Sequence, residues 1–107
     1  MLISIVSTLY LSEDTIEEFC IRMQKSVEEI TLDYEIILVD DGSPDDSYLL
    51  ALQMHELNKK IKLIQFSRNY GHHRAVYAGL EHTKGDLVYL IDSDLQEQPE
   101  SFSEFYN

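Results

Sequence analysis

Asp92-Ser93-Asp94 directly follows the apolar run Leu87-Val88-Tyr89-Leu90-Ile91. Two carboxylates one residue apart at the mouth of a buried strand can converge on one divalent cation. Ions of the Mg²⁺ type are commonly held by one or two carboxylates plus the phosphates of a substrate. In an open α/β sheet, that mouth is also where ligands bind. The chemistry indicated is the handling of a phosphorylated ligand; without a cation the two charges repel, and spacing alone equally describes two solvated aspartates in a polar turn.

Asp40-Asp41-Gly42-Ser43 ends another apolar run, Ile36-Ile37-Leu38-Val39, and so falls on the same sheet edge. Here an aspartate can accept hydrogen bonds from a base or ribose, while glycine lets the backbone approach a ligand. The stretch from Ser43 to Asp46 is explained by helix capping alone, so only Asp40 and Asp41 stand on the functional side. Arg68-Asn69-Tyr70-Gly71-His72-His73-Arg74 follows a third run and leads into a helix; Arg68 and Arg74 could bind phosphate oxygens, helped by helix N-terminal amides. The alternative is a solvated basic loop, and neighbouring histidines without further ligands at fixed spacing do not make a zinc site. Tyr10 could stack on a base or pack over the sheet edge. No Gly-x-Gly-x-x-Gly run, Walker-type loop or nucleophile elbow is present.

The elements that must position these residues alternate. Leu2 to Thr8, Tyr34 to Val39, Ile61 to Phe66 and Asp86 to Ile91 read as strands, the first buried on both faces as in a parallel sheet. Ile16, Phe19, Met23, Val27 and Ile30 recur at spacings of three and four, which predicts an amphipathic helix opened by Ser12 or Asp14. Ser43 as N-cap, Pro44 at the first helical position and Asp46 three after the cap predict a second helix running through Leu50, Met54 and Leu57. A third spans about 72–83 and closes near Gly85, and Pro99-Glu100 begins another. Strand and helix alternate four times, so the expected fold class is α/β with a doubly wound, mainly parallel sheet.

One domain is the limit for 107 residues. Twenty acidic residues against eight basic ones give a formal charge of −12, which argues against a nucleic-acid partner. Six of the eight, Lys59, Lys60, Lys62, Arg68, Arg74 and Lys84, lie in one stretch, and any anion site is expected to draw on it. Cys20 is the single cysteine, so no internal disulfide can form; a reducing compartment fits, and no chemical role is assigned to the thiol. His55 and His82 read as helix-surface residues. No charged leader precedes the first strand and no apolar run approaches ~20 residues, so neither signal peptide nor membrane span is expected.

Together, Ile36 to Ser43, Ser67-Arg68-Asn69-Tyr70-Gly71-His72, Ala78-Gly79-Leu80, and Asp92-Ser93-Asp94-Leu95-Gln96 with Pro99-Glu100 closely resemble family 2 glycosyltransferases. The match looks nearest to the dolichol- or polyprenyl-phosphate sugar transferase branch. The resemblance implies the Rossmann-like, nucleotide-binding half of a GT-A fold over residues 1–107, truncated at its C-terminal end. It implies an inverting transferase that takes a sugar from a UDP- or GDP-sugar to a lipid-phosphate or glycan acceptor at the cytoplasmic face of a membrane. Asp40 would then recognise base or ribose with Thr8 and Tyr10 beside it, and Asp41, Arg68 and Ser93 would complete the nucleotide-sugar contacts. Asp92 and Asp94 would form the Asp-x-Asp motif, with Gln96 as a further ligand of Mg²⁺ or Mn²⁺.

The family's usual Pro-x-Tyr-Asn-Glu after the first strand is replaced here by Thr8-Leu9-Tyr10-Leu11-Ser12, with Glu13 as a shifted substitute. No catalytic base is assigned: the resemblance places it in an acceptor half beyond these residues, along with any membrane contact. Two rivals stand beside this reading. One is an Asp-x-Asp phosphotransferase or phosphatase, although that motif usually follows the first strand; the other is a non-catalytic fragment that self-associates into homo-oligomers through exposed apolar surface.

Overall fold

In the computed structural model, which describes residues 2–91, 93, 99 and 100, strand and helix alternate as the hydrophobic pattern requires. The order is β1 (Ile3–Leu9), α1 (Ile16–Glu28), β2 (Tyr34–Asp40), α2 (Ser47–Leu57), β3 (Ile61–Gln65), α3 (His72–Glu81) and β4 (Leu87–Leu90). The four strands form one sheet in the order β3-β2-β1-β4, and every pairing is parallel. All four carboxyl ends therefore lie on one edge.

Side-chain alternation along the central strands divides the core between the two faces. Ile3, Ile5 and Leu9 of β1 and Tyr34, Ile36 and Leu38 of β2 pack with Ile16, Phe19, Cys20, Met23 and Val27 of α1 and with Ala51 and Met54 of α2. Val6, Ile37 and Val39 point the other way, against Ala75 of α3. Helices thus cover both faces, and the sheet is doubly wound. Burial pushes the Cys20 thiol up to about 12, which leaves it an inert part of the core. Gly79 lets α3 lie close on the sheet, since a Cβ there would stand 2.5 Å from a Val6 methyl and 3.2 Å from one of Val39.

Two helix starts differ from expectation. α1 begins at Ile16 with Thr15 in the cap position and no side-chain cap bond; the Ser12 carbonyl, rather than its hydroxyl, receives the Thr15 and Ile16 amides. α2 begins at Ser47 with Asp46 in the cap position, three residues after the start that Ser43 and Pro44 predict. Ser43 is used instead to join two loops, as described below. His55 is half-buried rather than on the open surface, its Nδ1 lying against the Ile61 carbonyl.

The basic stretch is also split. Lys62 Nζ donates to the buried Glu35 carboxylate (2.8 Å), which also receives the Ser4 hydroxyl (2.6 Å) and the Lys84 amide (2.7 Å). Burial alone would raise the Glu35 pKa, but these three donors outweigh it and hold the carboxyl below its ordinary value. Lys60 Nζ donates to the Leu32 carbonyl and lies 4.7 Å from the Tyr34 ring centre, and Lys59 pairs with Glu56. These four lysines sit at the amino edge of the sheet. Only Arg68 and Arg74 of the six basic residues accompany the carboxyl edge.

Candidate functional site

The parallel sheet brings Thr8, Tyr10, Asp40, Asp41, Arg68 and Ser93 to its carboxyl edge, because each lies at or just beyond the end of a strand. Thr8 is the penultimate residue of β1 and Asp40 the last of the adjacent β2. Thr8 is half-buried; its hydroxyl lies 3.2 Å from His72 Nδ1 at the start of α3, and its carbonyl accepts the Ser93 hydroxyl at 3.0 Å. That hydroxyl also stands 3.2 Å from Ser12 Oγ, which buries Ser93 under the β1–α1 loop. Tyr10 is 45% exposed at the lip, so its ring is open to a ligand face.

Asp40 is 1% exposed, and its Oδ1 accepts the Ser43 amide at 3.2 Å. Burial raises the Asp40 pKa; the Ser43 N–H opposes this, and the Asp45 and Asp41 carboxylates add to it, with a net upward shift. A buried acid with its pKa displaced in this way, at a ligand-binding edge, marks a functional candidate. Asp41 is buried beside it, and its Oδ1 accepts the Tyr70 amide at 2.9 Å. Arg68 is exposed, with its guanidinium carbon 4.8 Å from the Tyr70 ring centre and no ion pair among the described residues.

Sequence reasoning missed how two loops are laced together across this edge. The Leu11 amide donates to Ser43 Oγ (2.8 Å), the Ser12 amide to Ser47 Oγ (2.8 Å) and the Glu13 amide to Asp45 Oδ2 (3.2 Å). In return the Asp46 amide donates to Glu13 Oε2 (3.3 Å). Ser43, read as a helix cap, and Glu13, read as a shifted donor-pocket residue, are both part of this lacing. Leu11 is held at φ +55°, a left-handed conformation uncommon outside glycine and asparagine, within the same set of bonds. The signal available was the density of Ser, Asp and Glu in both loops, 10–14 and 43–47.

Asp92, Asp94 and Gln96 lie outside the described residues. Between the first two, Ser93 is tied to β1 as above, and beyond all three Glu100 receives Arg22 of α1 at 2.8 Å through Nε and 2.5 Å through Nη2. Among the described residues, no group of three or more His, Cys, Asp or Glu is placed to hold a metal ion. Nor is any helix among them long and apolar enough to cross a membrane. The donor set at 92, 94 and 96, two carboxylates and an amide oxygen, consists of hard oxygen ligands and fits Mg²⁺ or Mn²⁺.

A family model described as glycosyl transferase family 2 matches residues 4–107. Over 106 residues, 99% of the chain, it is 48% identical to a protein of Mycobacterium tuberculosis (strain CDC 1551 / Oshkosh) described under "Putative glycosyltransferases". It is 41% identical, over 92% of its length, to the undecaprenyl-phosphate 4-deoxy-4-formamido-L-arabinose transferase of Pseudomonas fluorescens (strain Pf0-1). The chain spans 31% and 29% of these two relatives. Among solved structures, residues 1–349 of S. aureus TarS in complex with UDP-GlcNAc superpose on 88% of the chain with a TM-score of 0.69 at 27% identity, the match covering 27% of that 1–349 segment.

Proposed function

The chain belongs to glycosyl transferase family 2, and from that premise we propose that it is the nucleotide-sugar-binding part of an inverting, metal-dependent glycosyltransferase with a lipid-phosphate or glycan acceptor. The observation that carries this reading is the meeting of Thr8, Asp40, Arg68 and Ser93 at the carboxyl edge of one parallel sheet. The similarity to TarS, solved with UDP-GlcNAc, supports a nucleotide-sugar donor, and the similarity to an undecaprenyl-phosphate transferase supports a lipid-phosphate acceptor.

In this reading Asp40 accepts hydrogen bonds from the base or ribose, and its burial removes competing water. Thr8 and Tyr10 flank the same group, Tyr10 with an exposed ring for stacking. Arg68 reaches the donor from the β3–α3 loop, with Asp41 beside it. Asp92, Asp94 and Gln96 would hold Mg²⁺ or Mn²⁺, and Ser93, which lies between the two aspartates in sequence, is tied to β1 by its bond to the Thr8 carbonyl. A cation bound there stabilises the charge that develops on a departing nucleoside diphosphate. No residue of this chain is assigned as the base that activates the acceptor, and the transfer is placed at the cytoplasmic face of a membrane.

Titration calorimetry with UDP- and GDP-sugars, with and without Mn²⁺, tests the reading. Binding of one of them that needs the metal and weakens about tenfold or more in Asp94→Ala is expected, the scale of one lost ionic contact. Metal-independent binding, or binding indifferent to Asp94, would count against it.

A further inference from the structure

Asp41 is held from two sides. Its amide donates to the Leu9 carbonyl at 2.9 Å, fixing it to the end of β1, and its buried Oδ1 accepts the Tyr70 amide at 2.9 Å. The neighbouring backbone follows the same path: the Phe66 amide donates to the Asp40 carbonyl (2.9 Å). Gly42, at φ +66°, lies so close to the next loop that a Cβ would stand 2.2 Å from the Arg68 carbonyl carbon and 2.4 Å from the Asn69 nitrogen. The β2–α2 turn is therefore pressed flat against the loop that carries Arg68.

Tyr70 is the next link. Its amide is taken by Asp41, its ring meets Phe66 edge-on at 5.5 Å between centres, and the Arg68 guanidinium stacks over it. Since Arg68 has no ion pair among the described residues, the Tyr70 ring is the contact that orients it. From this chain of contacts we infer that Asp41 is a positioning residue: it acts on the donor through Tyr70 and Arg68 instead of touching the nucleotide itself. The inference deepens the proposed function and rests on the nucleotide-binding reading of Arg68.

A double-mutant cycle read by UDP and GDP affinity in Mn²⁺, combined with amide exchange at Tyr70, tests it. Arg68→Ala is expected to weaken binding about tenfold and Asp41→Ala about fivefold, with the double variant no weaker than about tenfold, because residues acting through one chain of contacts do not add. Asp41→Asn keeps an acceptor oxygen at the same place and should recover most of the loss. Tyr70 amide exchange should accelerate in Asp41→Ala and stay slow in Asp41→Asn. Additive losses of about fiftyfold, or an Asp41→Asn variant as weak as Asp41→Ala while the Tyr70 amide stays protected, would overturn the inference by showing direct contact with the ligand. Unchanged Tyr70 exchange in Asp41→Ala overturns it whatever happens to affinity. Loss of the nucleotide reading itself shows separately, as an Arg68→Ala variant that binds like the parent. Should Asp41→Ala not fold, Asp41→Asn alone decides between the same two results.

Discussion

Asp40 sets its proposed role in ligand recognition against stability. Its carboxyl is buried, and its pKa is raised above the ordinary 3.8 by burial, with the Asp45 and Asp41 charges adding to this and the Ser43 N–H opposing it. A raised folded-state pKa means that the folded protein holds the proton longer than the unfolded chain does. Stability attributable to this group is thus greatest below 3.8, falls as pH rises through the raised value, and stays reduced at neutral pH. Asp40→Asn keeps an oxygen for the Ser43 amide but cannot ionise. Urea unfolding should find the variant more stable than the parent at pH 7, with the advantage shrinking as the pH is lowered towards 3.8. The same change should weaken nucleotide binding about tenfold or more, since a hydrogen bond to a charged acceptor contributes roughly 1.5–3 kcal/mol. Equal stability at pH 7 would mean that burial of this charge costs the fold nothing.

At the scale of elements, the approach of α3 to the sheet depends on a missing side chain. Gly→Ala in a helix ordinarily stabilises by about 1 kcal/mol through propensity. At Gly79 the new methyl would meet Val6 at 2.5 Å and Val39 at 3.2 Å, both on strands already packed on the other face by α1 and α2. The strands cannot retreat, so α3 must move outward. Gly79→Ala is expected to destabilise by about 1–3 kcal/mol, the range for overpacking, and chemical denaturation measures it. A stabilised variant would show that propensity wins. The contact also explains why Ala78-Gly79-Leu80 was informative in the sequence, where it was visible only as part of a resemblance. Strand and helix order was legible because apolar periodicity is local and strong here, with α1 burying residues at spacings of three and four and β2 buried throughout. The start of α2 was not, because Ser43, which has the residue type of a cap, accepts the Leu11 amide some thirty positions away, while Asp45 accepts both the distant Glu13 amide and the Ser47 amide that opens the helix three residues later than Ser43 suggests. Glu35 was invisible for a similar reason: its partners Ser4, Lys62 and Lys84 come from three separate segments. Of the site, the carboxyl-edge grouping was legible from strand ends, whereas the tie between Asp41 and the Tyr70 backbone has no sequence signature.

For the whole molecule, net charge decides how an anionic ligand must bind. A formal charge of −12 disfavours the approach of a nucleoside diphosphate, and the four lysines of the basic stretch lie at the opposite edge of the sheet from the proposed site. Arg68 and Arg74 are a small counterweight, so the proposed divalent cation would be what joins acidic protein to acidic ligand. A ligand that binds only the folded state stabilises it by about 2.7 kcal/mol at a hundred times its Kd. In a domain of this size that is a rise in Tm of roughly 10 °C or more. UDP or GDP with Mn²⁺ should therefore raise Tm by roughly that amount at such a concentration, while nucleotide alone should give only a small shift. Asp94→Ala, with affinity about tenfold lower, should retain about half of the rise at the same ligand concentration. Salt separates this from binding by a basic patch. Screening relieves repulsion between like charges, so moderate NaCl should leave the nucleotide-only shift unchanged or slightly larger, whereas attraction to a basic patch would weaken. A large metal-free shift that salt abolishes would place the anion on the arginines alone and leave the aspartates at 92 and 94 without a part in binding.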